Sequence, residues 1–408
     1  MAAAGKSGIF FNSNRRVLSA CSTGFLLGLA LWAMGCASKL PSAGNPLKGP
    51  APENRISIMS YNVENFFDEL HDDNREDYTW LPIQTKLKSS EAKAYCAKQS
   101  GYRRVECEET NWDDAAVRTK IKHTADAILQ VHERGPDILI LVEVENLRVL
   151  KRLSEEGLPA AGYKTIELIE GDDMRGIDTG LMSRFPLAGK PKLHRVEFSP
   201  SKDPTRRPWG TRGILEVPLR LPNGATLYVY SLHFPSQSNP IEERQDAMNT
   251  LTRAIKALPE GSAWVVGGDW NITDIENEES GIFDKHIGAM GLVSHKVGCK
   301  TCKGTHNYRG VWDYLDILVF SQNLADGKGV GYKLIPDTIM TPIWGQYQMQ
   351  WSGRPERFNL KEGKGVSDHL PIYGELELIP GAAVTTPAPA VEAPPAPKAP
   401  AKKKPGRK

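Results

Sequence analysis

Gly365-Val366-Ser367-Asp368-His369-Leu370-Pro371-Ile372-Tyr373 places an acid beside an imidazole at the mouth of an apolar, strand-like run, Leu370 to Leu378. Such a pair at a strand edge can hold a cation and move a proton at one point in space. One copy of Ser-Asp-His means little by itself. Its weight comes from other strand-like runs upstream that also carry polar residues at or near one end.

Arg55 to Asn65 alternates like a strand and ends in Asn62 and Glu64, which point the same way in an extended chain. Asp137 to Asn146 is a continuous apolar run, as in a buried strand, closed by Glu143. A carboxylate there is costly unless paired, hydrogen-bonded or bound to metal. Gly171 to Ser183 is a polar loop entering a strand. Within it Asp178 can orient a neighbouring imidazole or pair with Arg175. Arg212 opens the strand Ile214 to Val217, placed to grip a phosphate bidentately or to cap the sheet edge. Ala225 to Pro235 ends in His233, and Ala263 to Asn271 ends in Asp269 and Asn271 after Gly267-Gly268. Those glycines admit close approach of another backbone or of a ligand. Asp316 interrupts the apolar strand Leu315 to Phe320 and calls for a partner such as His369.

Helices are read at Asp113 to Glu133, Leu147 to Glu156 and Arg244 to Leu258. Few helices against many strands point to a two-sheet sandwich with helices outside. Phe66 to Asp113 is polar and irregular and reads as a surface insertion. The segment Ile335 to Gly363 holds Trp344, Tyr347, Trp351 and Phe358, a stacking platform for bases or a packed loop.

Composition is that of a soluble globular chain, and the formal net charge of +2 names no partner. The ends differ from the middle. Arg15 and Arg16 precede an apolar run, Val17 to Met34, and Ala33-Met34-Gly35-Cys36 resembles a lipoprotein box with Cys36 as the lipidated residue. The expected organisation is a signal peptide over 1–36, a tether over 37–54, the domain over 55–380 and an Ala/Pro/Lys-rich basic tail over 381–408. The leader implies export to the cell envelope, periplasm or outer membrane, as a lipoprotein held at the membrane by a lipid anchor, or secretion. Export makes disulfides reasonable. Cys96–Cys107 and Cys299–Cys302 are the simplest pairs. The second could instead be half a zinc site, with His295 and His306 nearby, or a redox motif.

The strand-end residues are oxygen ligands plus two imidazoles without a thiolate, a set that suits Mg²⁺ or Mn²⁺ better than Zn²⁺. Their order is also recognisable. Ser60-Tyr61-Asn62-Val63-Glu64-Asn65, Val142-Glu143-Val144-Glu145-Asn146, Ser231-Leu232-His233, Gly268-Asp269-Trp270-Asn271, Leu315-Asp316 and Ser367-Asp368-His369-Leu370-Pro371 resemble the endonuclease/exonuclease/phosphatase superfamily. Asp173-x-Arg175-Gly176-Ile177-Asp178 and Gly304-Thr305…Trp312…Leu315-Asp316 look like its exported bacterial nucleases, and the Cys-x-x-Cys loop is seen in secreted deoxyribonuclease I-like members.

The resemblance implies an α/β fold: a four-layered α/β sandwich of two mostly antiparallel sheets flanked by helices, deoxyribonuclease I-like. It implies that Asn62 and Glu143 hold a divalent metal with Asp368 helping, and with Glu64 as a further ligand. Asp269 would orient the attacking water and Asn271 bind the scissile phosphate. His369, paired with Asp316, would act as base or stabilise the phosphorane. His233, paired with Asp178, would protonate the leaving oxygen, and Arg212 and Arg175 would contact phosphate. Ca²⁺ is a further candidate as a structural ion. Val142 departs from the glutamine that often precedes the metal glutamate. The expected activity is Mg²⁺-dependent hydrolysis of nucleic acid, with DNA as the expected substrate and RNA as a further candidate, by a monomer. The alternatives are a phosphatase or sphingomyelinase-like lipase, and a surface lipoprotein that binds nucleic acid without cutting it.

Overall fold

Alternate residues of the first strand go to two different cores, and this makes the protein layered. Ile56 and Ile58 pack with Ile138, Ile140, Leu215 and Val217 between two sheets. Met59, Tyr61 and Val63 face the other way, onto Val117, Ile121 and Ile128 of a helix. Period-two alternation with both faces apolar is what a strand covered on both sides requires.

The structure, a computed structural model, describes residues 44–200 and 211–384. Its strands are β1 (Arg55–Phe66), β2 (Ile138–Val144), β3 (Thr165–Leu168), β4 (Asp178–Ser183), β5 (Lys192–His194), β6 (Ile214–Arg220), β7 (Thr226–His233), β8 (Ala263–Asp269), β9 (Gly291–Val293), β10 (His306–Tyr308), β11 (Val311–Asp313), β12 (Asp316–Ser321), β13 (Tyr332–Met340) and β14 (Ile372–Leu378). The helices that matter below are α1 (Ile83–Lys88), α2 (Ser90–Lys98), α3 (Tyr102–Glu109), α4 (Asp114–Ile128), α5 (Leu147–Arg152) and α6 (Ile241–Lys256).

One six-stranded sheet runs β13-β14-β1-β2-β4-β3 and the other β5-β6-β7-β8-β12-β9. Each has a single parallel pair, β1 with β2 and β7 with β8, and is otherwise antiparallel. A parallel neighbour needs a long crossover. Helices α1 to α4 supply the first and α6 the second, with α4 and α6 packing on opposite outer faces. The result is the four-layered α/β sandwich anticipated above. The Asp113 side chain caps α4 by accepting from the Ala116 N–H. Gly267 fits the sheets together: a Cβ there would meet Ile140 Cδ1 at 2.6 Å and Leu318 Cδ2 at 2.9 Å. The close approach that its glycine allows is therefore that of the opposite sheet.

Three expectations change. The tether packs before its expected end: Leu47 is buried, and its carbonyl accepts from the His132 N–H. The insertion is not irregular; it holds the short helices α1, α2 and α3, with α2 and α3 joined by the Cys96–Cys107 disulfide. The aromatic segment is mostly packed: Tyr347 stacks on His123 at 3.6 Å and Phe358 lies edge-on to Trp112, while Trp351 is exposed. Cys299–Cys302 also forms a disulfide, so neither thiol is free for zinc or redox chemistry. The leader with Cys36 and the tail beyond residue 384 lie outside the described residues. Among those described, no helix is long and apolar enough to cross a membrane.

One buried acid beside the β1–β14 pair sets part of the acid stability. Burial opposes the charge on Glu375, but hydrogen bonds with His132, Tyr373 and Arg55 (the last two at 2.6 and 2.8 Å) outweigh it and hold the carboxyl at about 2. A folded-state value below the unfolded ~4.3 stabilises above that pH, and the contribution is lost as pH falls toward 2. Glu375→Gln is expected to lose about 1–3 kcal/mol at pH 7. The deficit should shrink across pH 4 to 2 in denaturant titrations.

Candidate active site

Sequence register assembles half of the site. His233 ends β7, Asp269 ends β8 and Asp316 begins β12, and the three are direct cross-strand partners, His233 with Asp269 and Asp269 with Asp316. His369 reaches this row from the loop before β14. Its Nδ1 meets Asp316 Oδ2 at 2.7 Å, and its Nε2 lies 3.9 Å from Asp269 Oδ2. His233 Nε2 is 3.6 Å from the same Asp269 oxygen. Asp269 Oδ1 accepts from the Asn271 N–H at 2.9 Å, and Oδ2 accepts from Asn62 Nδ2 at 3.1 Å. All of these residues are buried.

The other half comes from the facing sheet. The β1–β2 pairing shifts after Asn62, and the β2–β4 pairing shifts between Val142 and Val144, at Glu143. Glu143 has φ +65°, Glu64 +51°, Asn65 +50° and Asn271 +50°. Left-handed backbone costs a non-glycine residue about 1–2 kcal/mol, and four such residues lie among the strand ends of the candidate site. The bulge turns Glu143 outward, only partly buried. Its Oε2 accepts from the Asn65 N–H at 2.9 Å, while Oε1 has only Asn62 Nδ2 at 3.4 Å and His233 Nε2 at 3.9 Å. Glu143, Asp368, His369, Arg175 and Arg357 line one cleft of about 260 Å³, walled by Tyr95 of α2 and by Tyr102, Arg103 and Glu106 of α3.

Charge in the cleft is unevenly distributed. Burial opposes a charged His369, yet Asp316, Asp269 and Asp368 hold its imidazole well above the ordinary range. Burial, followed by the charges of Arg212, Arg175 and His369, pushes His233 well below it. One imidazole is thus cationic and the other neutral. Burial raises Asp269 to about 7, moderated by His369. Burial also disfavours the charge on Asp173, but Arg212 and Arg175 hold it at about 2, with Arg212 Nε 3.1 Å away. Both arginines therefore already have a carboxylate partner, and the exposed Arg175 also borders the cleft.

Two expected roles are corrected. Asp178 does not pair with His233: its Oδ1 accepts from the Gly171 N–H at 2.8 Å, and His233 Nδ1 is buried with no hydrogen-bond partner. Nor does it pair with Arg175, which lies against Asp173. Glu64 is no open ligand. Its carboxylate accepts from Arg357 Nε at 2.6 Å, from the Asp368 N–H at 3.1 Å and from the Phe358 N–H at 3.3 Å. It braces the Asp368 loop instead.

Lys120 and Arg357 were not anticipated. Lys120 is fully buried on α4, donates to the Val366 carbonyl at 2.5 Å and lies over the Phe358 ring. His123, one turn on, meets the Gly365 carbonyl at 2.8 Å. These contacts fix the loop that presents Asp368 and His369. A lysine three residues after Val117 and one before Ile121, on an apolar stripe, is the signal for Lys120. Asp178→Asn separates the roles considered for Asp178. It retains an acceptor for Gly171 and removes a charge whose pKa burial raises to about 7. The rate is expected to stay within about twofold, whereas loss of a catalytic imidazole's partner would cost on the order of 10² or more. Initial rates and melting temperatures of the two proteins check this.

The endonuclease/exonuclease/phosphatase family matches residues 104–378. No curated protein matches the chain. Similar solved structures include D. rerio TDP2 complexed with single strand DNA product, 18% identical, covering 80% of this chain and 100% of that one with a TM-score of 0.44. The Bacteroides thetaiotaomicron mannosyl-6-phosphatase Bt3783 is 14% identical, covering 79% and 99% with a TM-score of 0.48. An endonuclease/exonuclease/phosphatase protein from Beutenbergia cavernae is 14% identical, covering 80% and 72% with a TM-score of 0.44. With its family match extending over most of the two sheets, the chain belongs to the endonuclease/exonuclease/phosphatase family, hydrolases of phosphate esters and diesters.

Proposed function

We propose that the protein is a divalent-metal-dependent phosphodiesterase that hydrolyses nucleic acid by in-line attack of water. The observation that carries this reading is the register row His233–Asp269–Asp316, joined by His369 and facing the carboxylates of Glu143 and Asp368 across one cleft. The donor set fits a hard cation: Glu143 Oε1 has only the long contact from Asn62 Nδ2 at 3.4 Å, Asp368 is a second carboxylate, and the Asn62 amide oxygen, which accepts from the Glu64 N–H at 3.0 Å, becomes a third oxygen donor once the amide turns. Glu143, Asp368 and Asn62 would hold Mg²⁺ or Mn²⁺. When bound, the ion supplies charge neutralisation and Lewis-acid polarisation at the phosphate.

The chain's own groups do the rest. Asp269, poised near neutrality, orients the attacking water and takes its proton. His369, kept cationic by Asp316, donates from Nε2 to the oxygen on which charge develops. His233 offers a neutral imidazole to the leaving oxygen, a hydrogen bond rather than a stored proton. Asn271, whose Nδ2 donates to the Phe234 carbonyl at 3.2 Å, would have to release that bond to reach the phosphate, and Arg175 adds positive potential at the cleft edge.

The leader expected over residues 1–36 and the two disulfides support an exported protein, since disulfides persist in oxidising compartments. One observation favours a second reading, a phosphatase or lipase for small phosphate esters. The α2–α3 wall leaves a cleft of about 260 Å³. Supercoiled plasmid, single-stranded oligonucleotide, sphingomyelin and sugar phosphates assayed with Mg²⁺ and with EDTA separate the readings. Nicking abolished by EDTA is expected. Phosphate or phosphocholine release with plasmid intact would shift the assignment to the second reading.

A further inference from the structure

Beside the oxygen-rich site sits a nitrogen-rich one. We propose that His306, Asp368 and His369 form a binding site for a late first-row divalent ion of the Zn²⁺ class, and that its occupancy withdraws His369 from catalysis.

Three observations converge. First, one ligand atom from each of the three residues lies within 4.8 Å of the others, with Asp368 Oδ1 3.9 Å from His369 Nε2. Donors around tetrahedral zinc sit about 3.4 Å apart, given bonds of roughly 2.0–2.1 Å, so a modest rotation of Asp368 and His306 closes the site. Second, His369 already has the outer support of a metal-binding imidazole. Its Nδ1 is tied to the buried Asp316 carboxylate at 2.7 Å, which fixes the ring and directs Nε2 into the cleft. Third, His306 is placed by backbone. It begins β10 and makes an isolated antiparallel bridge with His369, while the Leu370 N–H donates to the Thr305 carbonyl at 2.7 Å. The two imidazole rings lie 4.7 Å apart at 37°, and the His306 ring makes no hydrogen bond among the described residues.

Two imidazoles and a carboxylate select Zn²⁺, Co²⁺ or Ni²⁺ over Mg²⁺. The carboxylate oxygens of Asp269 and Asp368 each lie 3.9 Å from His369 Nε2, so a cation there meets negative charge on two sides. Arg357, with Nε 3.8 Å from Asp368 Oδ2, is the competing charge, but its Nε is held by Glu64 at 2.6 Å and leaves Asp368 without a close cation among the described residues. Because Nε2 cannot bind an ion and donate to the phosphate together, Zn²⁺ should inhibit. This consequence alone rests on the phosphodiesterase reading above.

The test uses the full chain titrated with Co²⁺ without other metals, followed by visible absorption, then displaced with Zn²⁺. His306→Ala removes the ligand, and His306→Phe keeps the ring packing while removing both nitrogens. One Co²⁺ per chain is expected in the parent, with affinity at least about tenfold weaker in both variants, and about 10–100-fold weaker in Asp316→Asn. Zn²⁺ should inhibit Mg²⁺-supported hydrolysis in the parent at concentrations that leave His306→Phe active. No Co²⁺ band in the parent, or equal affinity in parent and both variants, overturns the site even if the protein proves to lack phosphodiesterase activity. Activation by Zn²⁺ overturns the inhibitory consequence.

Discussion

The hydrogen bond between Asp316 and His369 is the constraint on which the site depends. Asp316 is fully buried, and one of its oxygens has no hydrogen-bond partner. An acid in that position is tolerable because an imidazolium faces its other oxygen. The pair also joins the two sheets. Asp316 belongs to β12, and its N–H donates to Thr305 Oγ1 at 2.9 Å. His369 precedes β14 of the other sheet, and the neighbouring Ser367 hydroxyl donates to the Asn62 carbonyl on β1 at 2.6 Å. Sheet packing, fixed by side chains such as Ile140 against Gly267, therefore sets the distance between imidazole and carboxylate.

From that pair the charge pattern follows. Carboxylates at Glu143, Asp269 and Asp368 meet one cationic and one neutral imidazole. Arg175 and Arg212 share the one carboxylate of Asp173, and the positive charge left over disfavours a proton on His233. Lys120 beneath the loop is buried and pushed down to about 8, with Glu64, Glu143 and Asp368 opposing that shift. Holding the three carboxylates of Glu143, Asp269 and Asp368 so near one another is costly unless positive charge sits among them, and this is what the proposed divalent ion would supply.

The fold was legible because its strands are covered on both faces and because the polar residues of the candidate site sit where strands end. Alternation in Arg55–Phe66 and the apolar run Ile138–Val142 mark the sheets, and the acids and histidines that terminate such runs mark the cleft. Partnerships were less legible. Glu64 is saturated by Arg357, 293 residues away in a loop without periodicity. Asp178 turns to a backbone amide seven residues back, a choice made by loop geometry. The helices of the insertion escaped notice because their buried faces are so small, only Ala92 and Cys96 in α2 and Cys107 in α3.

The most direct measurement of the central claim is a double-mutant cycle on phosphodiester hydrolysis with Asp316→Ala, His369→Ala and the double variant. If the buried pair acts as a unit, His369→Ala should lose on the order of 10²–10⁴ in rate. Asp316→Ala should lose a large part of that, and the double variant little more than the worse single. Additive losses, or full activity in His369→Ala with the fold intact, would contradict the account.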